Sequence, residues 1–185
     1  MKTKDIVNIS FFATLLAICA WICIPTVVPF TMQTFAVFLA MLVLGGKKGT
    51  IVIGIYLLLG AVGLPVFSKG TAGIGVLLGN TGGYMIGWLI LGMIMIFIDR
   101  ISEKDSEKPV IYRKRLQAAG MMAGLIISYL FGTWWFITVY AKTAEAIGFS
   151  AALGICVIPF VVPDMLKLAL AFSVSKRIRK LGGFV

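Results

Sequence analysis

From Ile6 to Ile24 the chain carries no charged residue, and comparable uncharged runs follow at 83–98 and 116–140. Runs of this kind constrain the fold more than any motif does. In hydrocarbon a backbone can satisfy its N–H and C=O groups only within itself, so each run is expected to be a helix. About 20 apolar residues cross the roughly 30 Å of a bilayer. Charged residues are 13% of the 185 and hydrophobic ones 60%, with a mean hydropathy of +1.04. Soluble domains carry about 25% charged residues. The expectation is an all-α, multi-pass membrane protein with room for five or six crossings, forming a single domain over residues 1–185.

Prolines and charged turns set the expected boundaries. A first helix covers 6–24 and stops before Pro25, and PTVVPFT (25–31) is a loop because its two prolines break helices. A second helix covers 32–45, GGKKGT (45–50) turns the chain, and a third covers 50–63. Both are short and are expected to lean on loops that dip into the protein. A glycine-rich stretch, 64–82, leads to a fourth helix over 83–98. The polar segment DRISEKDSEKPVIYRKR (99–115) joins it to a fifth over 116–140. Residues 143–158 hold a short helix, and the last helix covers 163–179 with Pro163 as its first residue. Lys2 and Lys4 before an apolar run resemble a signal peptide. No A-x-A site ends that run, so it reads as an uncleaved helix.

The net charge is +10, and its placement matters more than its size. Six alternating crossings with a cytoplasmic N-terminus put all but Lys69, Lys142 and Lys167 of the 17 basic residues in cytoplasmic segments. That bias predicts six spans with both termini in the cytoplasm. It explains the basicity by topology and anionic membrane lipid, with no nucleic-acid partner. Trp21, Trp134 and Trp135 fall near the outer ends of the first and fifth helices, and Trp88 in the outer half of the fourth. They form an interfacial belt or line a pocket. Histidine is absent, which excludes histidine triads, metal sites and proton relays. Cys19, Cys23 and Cys156 lie in apolar runs with no C-x-x-C, so they read as small buried side chains rather than a disulfide or metal framework.

Two charges resist this explanation. In PDMLKLAL, Lys167 lies roughly 13 Å and Asp164 roughly 18 Å above Lys176 along a helix, which puts them in the bilayer or near its outer boundary. An uncompensated ion at the bilayer centre costs about 2.5–3.5 kcal/mol. Their i, i+3 spacing puts them on one face, and a helix N-terminus would favour the aspartate. They are either an internal ion pair with a snorkelling lysine or the polar anchor of a ligand. Because an ion pair that serves packing alone can be replaced by apolar residues at no cost, the ligand reading is favoured.

GLPVFSKGTAGIGVLLGNTGGYMIGW (63–88) lies on the same outer side. Backbone without Cβ, as at Gly73 and Gly75, can approach a ligand and present N–H groups to it. A nucleotide motif would need a strand before it and phosphate chemistry nearby, and neither is in prospect. Asn80 and Thr81 can cap the fourth helix, and Asn80 has donors and an acceptor for a ligand as well. Gln33, early in the second helix, also needs a partner.

These stretches, with VPFTMQTF (28–35) and PDMLKLALA (163–171), resemble BioY, the biotin-specific S components of energy-coupling factor (ECF) transporters. The resemblance covers nearly the whole chain. The family's glycine block often reads GPTGGY where this chain has Asn80, and often has glycine where this chain has Pro163. The resemblance implies the six-helix S-component fold and biotin as ligand. It also implies an EcfT-type transmembrane coupling subunit and two ABC ATPases as partners. No cofactor is implied, and the chain has no Walker A sequence with which to hydrolyse ATP. An Ala-x-x-x-Ala docking motif of the family falls on Ala13 and Ala17. Small residues four apart also serve ordinary helix packing, as expected for the internal stripe Gly120, Gly124, Ser128 and Gly132.

Biotin suits the expected pocket. Asp164 can accept from a ureido N–H, and Lys167 or Asn80 can donate to the ureido carbonyl. Phe67 and Tyr84 can flank the apolar thiophane and valeryl chain. The carboxylate would find loop N–H groups, Thr31 or Gln33, with Lys167 as the rival. The alternative is a stand-alone channel or secondary transporter for a small solute, which favours a polar path and internal repeats. An intramembrane enzyme is disfavoured, because Glu145 and Asp164 are the only acids available on the outer side.

Overall fold

With no water to bond to, the apolar runs close their own hydrogen bonds as helices. The structure, a computed structural model, describes residues 2–26, 28–104, 107, 109–141 and 147–180. Lys108, Lys142 and Glu145, which entered the charge placement above, lie outside the described residues. Seven α-helices occur among the described residues: α1 (Thr3–Trp21), α2 (Gln33–Ala61), α3 (Ile74–Leu78), α4 (Gly82–Lys104), α5 (Val110–Tyr140), α6 (Phe149–Cys156) and α7 (Ile158–Lys180). Five of them, α1, α2, α4, α5 and α7, are long and apolar enough to cross a membrane.

α2 is a folded pair of limbs. Gly45 interrupts it at φ 82°, ψ 166°, a backbone conformation open to glycine. A Cβ on Gly49 would lie 3.1 Å from Met41 Cα, so the chain doubles back and the limbs pack side by side. The expected turn at GGKKGT is thus present but shorter, with Gly45 alone leaving helical geometry. Asp99 of α4 accepts the Gly46 N–H at 2.6 Å, which supplies a partner for the start of the second limb. Arg179 of α7 donates to the Leu42 carbonyl at the end of the first. Lys48 pairs with Asp5 of α1 at 2.6 Å. The basic turns and helix ends are therefore gathered at one end of the bundle.

α2 is central and packs on α1, α4 and α7, while α4 and α5 pack along each other. The small stripe on α5 makes the second contact close. A Cβ on Gly124 would fall 2.7 Å from Leu91, one on Gly132 would fall 2.2 Å from the Tyr84 ring, and Ser128 Oγ donates to the Gly87 carbonyl at 2.8 Å. The stripe is internal, as expected.

Several boundaries differ from expectation. The first helix ends at Trp21, and Cys23–Ile24 (β1) pairs antiparallel with Phe30–Thr31 (β2), so the proline loop is the tip of a ribbon. α4 and α5 extend into the polar segment 99–115. Lys, Arg and Glu are good helix formers, and at a bundle end their heads reach water. The last helix starts at Ile158, which places Pro163 inside it. Pro163 lacks the N–H that would reach the Pro159 carbonyl, a kinking feature. Asp164 is thus the seventh helical residue, beyond the first turn where the helix dipole acts. Its charge must be compensated by side chains.

Candidate functional site

At the end opposite the basic turns, side chains from the β1–β2 ribbon, α2, the 62–81 segment, α4, α5, α6 and α7 enclose one cavity. Its space, open mouth included, is about 720 Å³. The wall is mostly apolar, and its polar groups form two networks.

The first centres on Asp164, 2% exposed, and Lys167, 6% exposed. Asp164 Oδ1 accepts from Lys167 Nζ at 2.8 Å and from Thr34 Oγ1 at 2.8 Å. Its Oδ2 accepts from Tyr129 OH at 2.5 Å. Lys167 Nζ also donates to Thr34 Oγ1 at 3.1 Å and stands 4.3 Å from the Phe30 ring centroid. A carboxylate offers about four acceptor sites and an ammonium three protons. These bonds use all but one acceptor site and one proton. What remains is a neutral, buried pair with one acceptance and one donation to spare.

The second network ties the loop to α2. Thr31 Oγ1 donates to Gln33 Oε1 at 2.8 Å, Gln33 Nε2 to Tyr56 OH at 2.7 Å, and Tyr56 OH to the Val66 carbonyl at 3.0 Å. Phe67 packs edge-on to Tyr56 at 5.5 Å and fills the space over Gly60, where a Cβ would lie 2.0 Å from its ring. On the far wall, Tyr84 OH meets Thr133 Oγ1 at 3.1 Å.

The comparisons with known proteins bear on this cavity. The BioY family model matches residues 1–183. The chain belongs to the BioY family. The biotin transporter BioY of Thermotoga maritima is 38% identical over 96% of this chain and 97% of its own length. The biotin transporter BioY2 of Lactococcus lactis is 32% identical over 91% and 86% respectively. A crystal structure of the S-component for biotin from an ECF-type ABC transporter matches with a TM-score of 0.81 and 27% identity. That match covers 100% of this chain and 97% of the other. These relatives are transporters and S components rather than enzymes. Family and apolar helices together make the chain a multi-pass membrane protein.

Of the residues named from sequence, Asp164, Lys167, Tyr84, Gln33, Thr31 and Phe67 all line the cavity, and Asn80, Gly73 and Gly75 do not. Thr81 takes the wall position beside Asn80. It also directly precedes α4, with its carbonyl accepting from Tyr84 N–H at 3.1 Å. The Gly73 N–H is spent on the Gly60 carbonyl at 2.7 Å, and Gly75 is exposed in the short α3. Trp88 lines the cavity, whereas Trp21 and Trp134 are exposed.

Thr34 and Tyr129 were missed. The signal for Tyr129 was a phenol in mid-span of an apolar run, since such a group needs a partner. For Thr34 it was adjacency to Gln33. Ala13 is 4% exposed in the bundle core, and Ala17 is half-buried against it. Ala13 and Ala17 thus contribute to packing within the chain, and α1 shows Phe11, Thr14, Ile18 and Trp21 outward around them. Among the described residues no three His, Cys, Asp or Glu converge as a metal site.

Proposed function

We propose that the chain is the biotin-binding S component of an ECF-type ABC importer. It has one substrate-binding domain, residues 1–185, crossing the membrane six times with both termini in the cytoplasm. It binds biotin from the outer side and delivers it inward with an EcfT-type coupling subunit and two ABC ATPases. The folded α2 supports the sixth crossing, and the collection of basic turns at one bundle end supports the orientation.

The carrying observation is the spare acceptor on Asp164 and the spare proton on Lys167. A ureido ring brings an N–H and a carbonyl side by side and completes both. The thiophane and valeryl chain lie against Trp88, Phe67 and Tyr84. Thr31 has already given its only proton to Gln33, so the ligand carboxylate turns to the second N–H of Gln33 and to Ser68, which also lines the cavity. A stand-alone channel would need a polar path, yet the bundle interior holds Phe38, Met41, Leu91, Met95 and Met121, each fully buried.

The test is calorimetric titration of the purified chain with biotin and with lipoate, which keeps a sulfur ring and a valerate but lacks the ureido group. Biotin is expected to bind and lipoate not to compete. Asp164→Asn and Lys167→Ala are each expected to weaken biotin by at least about tenfold, ~1.4 kcal/mol. Equal binding of both ligands, or unchanged affinity in both variants, refutes the reading.

A further inference from the structure

Two adjoining cavities open at the basic end of the bundle, the end away from Asp164 and Lys167, and share Gln117 and Arg179 in their walls. Together they form a groove between α2, α4, α5 and α7. Its charged walls carry seven basic side chains against two acidic ones, Asp99 and Glu103. Asp99 is engaged by the Gly46 N–H, and Glu103 is exposed. Lys48 is held by Asp5 and Arg179 by the Leu42 carbonyl. Lys47, Arg100, Arg113, Lys114 and Lys176 make no ion pair among the described residues. Arg113 Nε is buried without a hydrogen-bond partner, and a donor closed off from water without an acceptor is costly. An anion in the groove would supply that acceptor.

The groove also has apolar wall, formed by Val43, Leu44 and Ile96 and, beyond Arg179, by Leu42 and Phe172. A guanidinium recognises phosphate oxygens through paired N–H bonds. Basic pockets between membrane helices on the cytoplasmic side take anionic headgroups. We propose that this groove binds a phosphate group, carried as the headgroup of an anionic phospholipid. Arg113 and Arg100 hold the phosphate, and an acyl chain lies along Val43, Leu44 and Ile96. Free phosphate shares the same recognition chemistry, so the experiment separates the two sources.

The full chain in detergent is examined by native mass spectrometry with phosphatidylglycerol or phosphatidylcholine of matched acyl chains. Preferential retention of phosphatidylglycerol is expected, with inorganic phosphate at millimolar concentration unable to displace it. Arg113→Gln, Arg100→Gln and Lys114→Gln are each expected to reduce that retention about fivefold. Lys69→Gln, at the opposite end of the bundle, is expected to leave it unchanged. If Arg113→Gln does not fold, Arg100 and Lys114 carry the test, since both are exposed. Displacement by inorganic phosphate overturns the lipid and assigns the groove to a free anion. Equal retention of the two lipids, or a preference unmoved by the variants, overturns the site. An unmoved preference with loss of co-purifying coupling subunit overturns it in favour of a protein acceptor.

Discussion

Removing Lys167 and Asp164 singly and together separates what the pair does for the ligand from what it does for the fold. Lys167→Met leaves a carboxylate that is 2% exposed with only the neutral donors Thr34 and Tyr129. Asp164→Leu leaves an ammonium that is 6% exposed with Thr34 and the Phe30 face. Breaking a buried pair by removing one partner costs about 3–5 kcal/mol, whereas replacing both by apolar groups is near neutral or better. The double variant still orphans the Tyr129 and Thr34 hydroxyls, at about 1–3 kcal/mol each when no rotation relieves them. With both hydroxyls free to rotate to other acceptors, it is expected within ~2 kcal/mol of the parent and above both singles. Biotin affinity moves the other way: the double variant lacks both ureido contacts and should lose about a hundredfold, ~2.7 kcal/mol. Thermal unfolding in detergent reads the first quantity and biotin titration the second. A double variant no more stable than the singles refutes the buried-pair argument. One that binds biotin like the parent refutes the site.

Tyr129→Phe removes a hydrogen bond to a charged acceptor and should cost about 1.5–3 kcal/mol of stability, read by thermal unfolding in detergent. Gly132→Val puts a Cβ where the Tyr84 ring now sits and should cost about 1–3 kcal/mol of stability by overpacking, with the loss visible in thermal unfolding. In a Cys23→Ser background, Leu64→Cys should react with a membrane-impermeant maleimide on intact cells, and Lys47→Cys only after the membrane is opened. The reverse pattern would invert the proposed orientation.

What could be read in advance depended on whether the cause was local. The apolar runs announced the spans, because hydrocarbon leaves the backbone one choice. Asp164 and Lys167 stood out for the same reason: a charge within a span demands an explanation. Their partners were invisible, since Thr34 is 130 residues away from Asp164 and Tyr129 is 35 away, and nothing local marks either as a ligand of that carboxylate. At Asn80 local reasoning stopped short, because a polar amide next to a helix start reads as both a cap and a contact, and Thr81 beside it lines the cavity. Pro163 misled similarly: proline favours a first turn, but Pro159 already occupies one, and α7 runs through the second proline.

The displacement of the helix start changes how the pair is held. At a helix N-terminus Asp164 would draw part of its stabilisation from backbone dipoles that no ligand can alter. At its actual position the charge is met only by side chains, each from a different element: Thr34 from α2, Tyr129 from α5 and Lys167 from α7. The carboxylate thus joins three spans, and the Thr31–Gln33–Tyr56 chain fastens the 62–81 loop to the same end of α2. A ligand that takes the last acceptor of Asp164 and the last proton of Lys167 touches the groups that hold α2, α5 and α7 together. Occupancy of the cavity and the packing of its walls are therefore coupled, as the proposed role of a biotin-binding subunit working with partners in the membrane requires.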